Sequence, residues 1–201
     1  NAWECDEMGH MNVQFYVEKA TEGLDSFAVL LGVGPYFARA HDTGFAAVDQ
    51  HIRFHREVRP GAPFIVRAGV LDVRSHSLRI YEEMVNAATG TVIAPFITDA
   101  AFVERATMKP YAIPAAAQEK AQAFRTELPQ HGAPRGLTFS LPRQAPTLAD
   151  ADAMGMVATF QGVVKAHECD RFGFVQPRHY MGRVSDAIPV LLASARGQDR
   201  S

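Results

Sequence analysis

Between residues 13 and 31, apolar positions recur every three or four residues. Tyr16, Ala20, Leu24, Phe27, Ala28 and Leu31 share one face, with Glu18, Lys19, Glu22 and Asp25 between them. That spacing predicts a single amphipathic helix, and Gly32 and Gly34 followed by Pro35 predict its stop. From residue 43 to 104 the period shortens to that of strands. Four are predicted, over 45–55, 63–73, 77–85 and 91–103, with breaks at Arg59-Pro60-Gly61, Arg74-Ser75-His76 and Ala88-Thr89-Gly90 short enough for antiparallel hairpins. Pro95 predicts a bulge or an edge position in the last strand. From about 105 to 153 the pattern is broken by Pro110, Pro114, Pro129, Pro134, Pro142 and Pro146, and only 115–124 reads as helix. That stretch is expected to be a linker wrapping the surface between two domains.

Beyond the linker the chain repeats itself. The segment Trp3-Glu-Cys-Asp-Glu-Met-Gly-His-Met-Asn12 recurs as His167-Glu-Cys-Asp-Arg-Phe-Gly-Phe-Val-Gln176. Cys169 and Cys5, Asp170 and Asp6, Gly173 and Gly9, and Tyr180 and Tyr16 each lie 164 residues apart. A repeat of this length means two copies of a domain rather than a solenoid. Residues 154–167 read as a strand leading into copy two, and an equivalent strand is missing before Trp3. In the second helix Tyr180, Val184, Ile188, Leu191, Leu192 and Ala195 repeat the apolar face, and Pro177 suits a first helical position. Pro189 falls inside that helix, where it removes a hydrogen bond at a cost of about 3 kcal/mol. Helix two is therefore expected to be kinked, shorter or displaced. The three expected parts are a first repeat over 1–104, a Pro-rich linker over 105–153 and a partial second repeat over 154–201.

Composition narrows the setting. The chain has 201 residues, 47% hydrophobic and 21% charged, with a net charge of -2. These are values of an ordinary globular protein, and they give no electrostatic reason to expect nucleic acid or an anionic membrane as partner. Cys5 and Cys169 occupy one repeated position, which argues against a disulfide framework and for a reducing cytoplasm. No apolar run approaches the roughly 18 residues of a membrane span, and no signal peptide precedes Asn1. Both ends of the chain look cut.

The order of elements is glycine turn, long helix, antiparallel strands, linker, then strand, turn and helix again. A helix whose apolar face spans five turns needs a sheet to bury it, which makes the expected class α+β. The residues Asp6-x-x-Gly9-His10-x-Asn12-x-x-x-Tyr16, the Arg59-Pro-Gly61 turn, Ser75-His-Ser77 and Lys109-Pro-Tyr-Ala-Ile-Pro114 resemble the hotdog superfamily, in its 4-hydroxybenzoyl-CoA thioesterase-like branch. The resemblance covers about 1–114, and 154–195 in part. It implies a long helix wrapped by a curved antiparallel sheet. The tandem copies look like a double hotdog whose second repeat is incomplete, working as a homo-oligomer of such units.

Thioester hydrolysis needs a group to deliver water or attack the carbonyl, and donors to stabilise the oxyanion. Asp6 can be nucleophile or general base, or it can cap the turn through backbone N–H groups. The N–H groups of Gly9, His10 and Met11 at the helix start are the expected oxyanion stabilisers. His10 is open to a structural hydrogen-bonded role or to a catalytic one, orienting the water or the carbonyl; it gives way to Phe174 in copy two, so the fold does not require an imidazole there, which favours the catalytic role. Asn12 is open to a helix cap or a substrate contact, and Tyr16 and Met11 to core packing or substrate binding. Glu18 and Glu22 read as a solvated face. His51, Arg53 and His55 alternate along a strand without a third metal ligand at recognisable spacing, so no metal is expected. The resemblance implies that Arg59, Ser75, His76, Ser77 and Lys109 meet the phosphates of coenzyme A, which enters as part of the substrate and not as a cofactor; solvated turns are the open alternative for these positions.

The expected function is hydrolysis of an acyl-CoA by a cytoplasmic thioesterase. The alternative is a non-catalytic acyl-CoA or fatty-acid binding or sensing protein. A hotdog hydratase is disfavoured, because no Asp-x-Asn-x-x-His pattern is present.

Overall fold

The computed structural model describes residues 2–136, 146–170 and 173–198, so Asn1, Pro142 and the side chain of Ala195 lie outside the description. Two compact units divide the chain, Asn1–Ala133 and Pro134–Ser201. The first begins with a turn over residues 5–11 and helix α1, Val13–Leu31. Every apolar position predicted for its inner face is buried, from Tyr16 to Leu31. Gly32 ends α1 in the left-handed conformation at φ 84°, its N–H bonding the last turn, a geometry that glycine adopts without strain. A short helix α2, Pro35–His41, follows at once. The Gly34-Pro35 pair, expected to help stop α1, instead starts this helix, with Pro35 at its first position.

Strands β1 (Thr43–Ile52), β2 (Phe64–Val73), β3 (Ser77–Asn86) and β4 (Val92–Glu104) lie within about two residues of the predicted ends, except that β1 stops three residues early. They form an antiparallel sheet in the order β1-β4-β3-β2, and β5, Lys109–Pro110, adds to the end of β4. The expected hairpins across Arg74-Ser75-His76 and Ala88-Thr89-Gly90 are present, but Arg59-Pro60-Gly61 does not join neighbouring strands. β1 pairs with β4, from Thr43 against Glu104 to Ile52 against Phe96. Pro95 is therefore in an interior strand, not at an edge. It lies just past the end of the β1 ladder and beside a register shift between β3 and β4, where a missing N–H breaks little.

Register also shifts at Ala47/Asp49 in β1 and at Val70/Asp72 in β2. Such bulges bend strands, and this sheet bends around α1. Two apolar clusters fill the space between them. Leu24, Phe27 and Leu31 meet Leu78, Ile80 and Phe102 under the C-terminal half of the helix. Met11, Tyr16 and Ala20 meet Val58, Met84 and Phe96 under the N-terminal half. Each fully buried large side chain contributes roughly 1.5–3 kcal/mol, so α1 is held by packing far more than by helix propensity.

Part of the Pro-rich stretch packs into the first unit. Helix α3, Ala115–Ala123, buries Ala117 and Ala121, and Phe124 and Thr126 exchange backbone bonds with Val70 of β2.

In the second unit, helix α4 (Leu148–Ala153) is closed by a capping box between Thr147 and Asp150. Residues 155–165 do not form the expected strand. Helix α5, Pro177–Gln198, starts at Pro177 and runs through Pro189. At 22 residues it is longer than α1, with 19, so of the expected alternatives (kinked, shorter or displaced) shorter is not met. Its apolar face has no sheet among the described residues. Tyr180 is 61% exposed where its counterpart Tyr16 is 3% exposed. No helix among the described residues is long and apolar enough to cross a membrane.

Candidate functional site

The turn before α1 is built almost entirely from its own backbone and one carboxylate. Asp6 N–H donates to the His10 carbonyl at 2.8 Å, and Gly9 N–H to the Asp6 carbonyl at 3.0 Å. Asp6 Oδ1 accepts from the backbone of Met8 at 3.0 Å and of His10 at 3.1 Å. Gly9 sits at φ 75°, a conformation costly for any side chain. Asn12 closes the turn as the helix cap, its Oδ1 accepting from Gln14 N–H at 3.1 Å, and its own N–H donates to the Glu4 carbonyl at 2.8 Å.

Copy two repeats the aspartate and glycine bonds of this turn where both copies are described, but not the Asn12 side-chain cap, since Gln176 Nε2 donates to the Cys169 carbonyl instead. Asp170 N–H donates to the Phe174 carbonyl at 2.8 Å, Gly173 N–H to the Asp170 carbonyl at 3.0 Å, and Phe174 N–H to Asp170 Oδ1 at 3.1 Å. Gly173 has φ 84°. The repeated aspartate and glycine are thus what the turn itself requires. Cys5 and Cys169 head the paired residues Cys5–Met11 and Cys169–Val175, and both are half-buried rather than buried.

Copy one also meets a further segment, residues 56–59 after β1. Met11 N–H donates to the Val58 carbonyl at 2.7 Å, and the Tyr16 hydroxyl to the Arg56 carbonyl at 3.4 Å. His10 Nε2 lies 3.1 Å from Glu57 Oε2 and 3.3 Å from Arg59 Nη2. Burial pushes the Tyr16 hydroxyl up, and the charges of Glu57 and Asp6 add to that. Glu57 was missed from the sequence because it lies 47 positions from His10 with no motif around it. Its only signal is its place two residues before Arg59 in the same loop.

Several expected roles change. The amides of Gly9, His10 and Met11 are all engaged inside the chain, so they are not free to hold an oxyanion. The first N–H of α1, that of Val13, has no acceptor among the described residues. Met11 is 7% exposed and belongs to the core, as does Tyr16, so neither side chain forms an open substrate wall. Glu18 and Glu22 are 4.0 and 3.2 Å from Lys19 Nζ, which Glu4 also meets at 3.5 Å. Burial works against the Lys19 ammonium, yet these carboxylates hold it above its usual range.

The expected coenzyme A contacts separate into two groups. Arg59 is beside His10. Ser75, whose Oγ lies 2.7 Å from His76 Nδ1, and Ser77, paired with Ala101, are at the other end of the sheet, with Lys109. From Ile93, which meets the 55–56 backbone, to Ala101 the distance along β4 is roughly 26 Å at about 3.3 Å per residue. One chain therefore does not bring Arg59 and the two serines to a single point.

A second polar cluster lies on the sheet face away from α1. Tyr81 Oη donates to Glu83 Oε1 at 2.6 Å, and His131 Nε2 lies 2.5 Å from the same oxygen. Arg53 donates to the carbonyls of His131 and Ala133, each at 2.7 Å, and His55 Nε2 lies 3.1 Å from the His131 carbonyl. The alternating His51, Arg53 and His55 thus include two anchors for residues 131–133. Burial, followed by the Glu83 carboxylate, pushes the Tyr81 hydroxyl up.

A long helix cradled by a bent antiparallel sheet in the order β1-β4-β3-β2, with a glycine turn at the helix start, defines a hotdog protein. The chain belongs to the thioesterase-like superfamily, whose profile matches residues 1–121. Among solved structures it is similar to a proposed oleoyl thioesterase from Lactobacillus plantarum, at 15% identity and a TM-score of 0.67, covering 93% of this chain and 67% of that one. A hypothetical protein from Staphylococcus aureus, in complex with CoA, aligns at 14% identity and a TM-score of 0.60, over 71% of this chain and 90% of that one. A 1,4-dihydroxy-2-naphthoyl-CoA thioesterase from Synechocystis aligns at 15% identity and a TM-score of 0.53, over 60% and 88% of the two chains. No curated protein matches the sequence.

Proposed function

We propose that the first unit hydrolyses an acyl-CoA thioester to a carboxylic acid and free CoA, at the turn Asp6–Asn12. The observation that carries this reading is the difference between two turns with one backbone: only copy one places an imidazole there and backs it with Glu57 and Arg59. Asp6 is held through Oδ1 and leaves Oδ2 without a partner among the described residues, so Oδ2 serves as general base or nucleophile. In the base mode, water oxygen bonds to the thioester carbon as its proton passes to Asp6. The C–S bond then breaks, and the thiolate takes that proton. The Val13 N–H and the positive end of α1 stabilise the oxyanion. His10 orients the water or the carbonyl, and Arg59 meets a CoA phosphate. The name of the Staphylococcus aureus relative includes CoA, which supports this substrate class. The apolar face of α5 is read as the helix of a second hotdog repeat, so the tandem arrangement belongs to this proposal too.

A second reading is acyl-CoA or fatty-acid binding without turnover. It is favoured by the matching bonds of Asp6 and Asp170, which give the aspartate a purely structural task in both copies. Free-thiol release from a panel of acyl-CoAs separates the two, run on the native chain, Asp6→Asn and His10→Phe. Turnover lost in both variants is expected. A native chain that binds acyl-CoA but releases no thiol at any chain length leaves only the second reading.

A further inference from the structure

Among the described residues His10 Nε2 makes one hydrogen bond, and chemistry fixes its direction. Arg59 Nη2 lies 3.3 Å away, and a guanidinium has donors but no acceptor. Nε2 must therefore offer its lone pair. A neutral imidazole carries a single hydrogen, which then sits on Nδ1. Nδ1 has no partner among the described residues. Glu57 Oε2 approaches Nε2 at 3.1 Å as a charge contact alone, and its side chain is 67% exposed. Such a carboxylate can turn to water, so it does not set the tautomer.

The backbone, and not only a long side chain, brings Arg59 to this nitrogen. Its chain neighbour Val58 is buried, and the Val58 carbonyl accepts at 2.7 Å from the N–H of Met11, the neighbour of His10. The Arg56 carbonyl accepts from the Tyr16 hydroxyl at 3.4 Å. The loop is thus docked on the turn in one register, with Arg59 starting beside His10.

We propose that Arg59 is a positioning residue that holds His10 as its Nδ1–H tautomer, so that Nδ1–H donates to the thioester carbonyl. Of the two tasks open to His10, this selects the carbonyl, because a protonated Nδ1 cannot accept a hydrogen from the attacking water. No proton leaves the ring, and the bond strengthens as negative charge gathers on the carbonyl oxygen. Nδ1–H joins the Val13 N–H, three residues on, as a second donor to that oxygen. The kinetic part rests on the thioesterase reading; the tautomer does not.

The test is nitrogen NMR of the 15N-histidine-labelled chain at pH 8, with the His10 signals identified by their loss in His10→Phe. The native chain and Glu57→Leu are expected to show Nδ1–H. Arg59→Leu should move to Nε2–H, the form that an unconstrained histidine side chain favours. A native chain in the Nε2–H form, or an Arg59→Leu spectrum equal to the native one, overturns the proposal. In thiol release from an acyl-CoA, kcat should fall on the order of tenfold in Arg59→Leu, as the competent tautomer becomes the minor one. An acyl N-acetylcysteamine thioester has no phosphate for Arg59 to hold, and its kcat/KM should fall as far. A loss confined to the CoA ester would leave Arg59 a phosphate ligand only and remove the positioning role. If the native chain releases no thiol from either ester, the thioesterase reading fails, while the NMR result still decides the tautomer.

Discussion

Replacing Glu82 by Met should stabilise the chain, and the gain should grow with pH. Glu82 lies on β3 between Ala68 and Phe96, in phase with Leu78, Ile80 and Met84, which face α1. It is fully buried, and neither carboxyl oxygen has a hydrogen-bond partner among the described residues. Burial alone pushes its pKa up to about 8, from 4.5 for an ordinary glutamate. Below about pH 4.5 the carboxyl is protonated whether the chain is folded or unfolded, and this group lowers stability only as a buried neutral acid. Between 4.5 and 8 the unfolded chain releases the proton while the folded chain keeps it. Stability therefore falls as pH rises, by about 1.4 kcal/mol per unit. Three and a half units amount to roughly 5 kcal/mol, of which roughly 3 kcal/mol is lost by pH 7. Above pH 8 both states are ionised and the loss is complete. Urea unfolding followed by circular dichroism from pH 4 to 9, on the native chain and Glu82→Met, measures the difference directly. Glu82→Gln is the control, because it removes the slope but leaves a buried polar group unpaired. A difference between native and Met variant that stays flat across this range would refute the reasoning, since it would mean that Glu82 folds with a partner.

Other consequences are local. An ideal Cβ on Gly23 would lie 2.5 Å from Glu82 Oε1 and 3.0 Å from Val66 Cγ1. Gly23→Ala should therefore destabilise by about 1–3 kcal/mol, with coupling to Glu82→Met of at least 0.5 kcal/mol in a double-mutant cycle of urea midpoints; simple additivity would contradict the packing. Asn12→Ala removes the α1 cap and should lower stability by about 1 kcal/mol in the same assay, whereas Asn12→Ser should recover most of it. Gly9→Ala forces a side chain into φ 75° with open space around it, so a loss of roughly 1 kcal/mol without aggregation is expected. No loss there would mean that the turn has another conformation.

The sequence disclosed what is local. The bounds of α1 and its buried face follow from spacing within nineteen residues, and the α1 stop from one glycine. Pairing was less visible. Nothing near Arg59-Pro60-Gly61 signals that the chain leaves β1 for the far edge of the sheet, because the β1–β4 ladder joins residues about 45 to 60 positions apart. Glu82 was legible in principle: the alternation Leu78, Ile80, Glu82, Met84 puts it inside, and two adjacent glutamates in a strand must face opposite sides. Glu57 and the Tyr81–Glu83–His131 cluster were not, since each is assembled from loops and strands with no shared motif. At the candidate site, residue types were readable but hydrogen bonds were not. The amides of Gly9 to Met11 looked available from their place at a helix start, and the fold had already given them acceptors.

The paired turns carry an engineering consequence. In each, hydrogen bonds between main-chain atoms and one aspartate oxygen, with a glycine at positive φ, shape the turn. Phe174→His is therefore expected to install an imidazole on the same backbone frame.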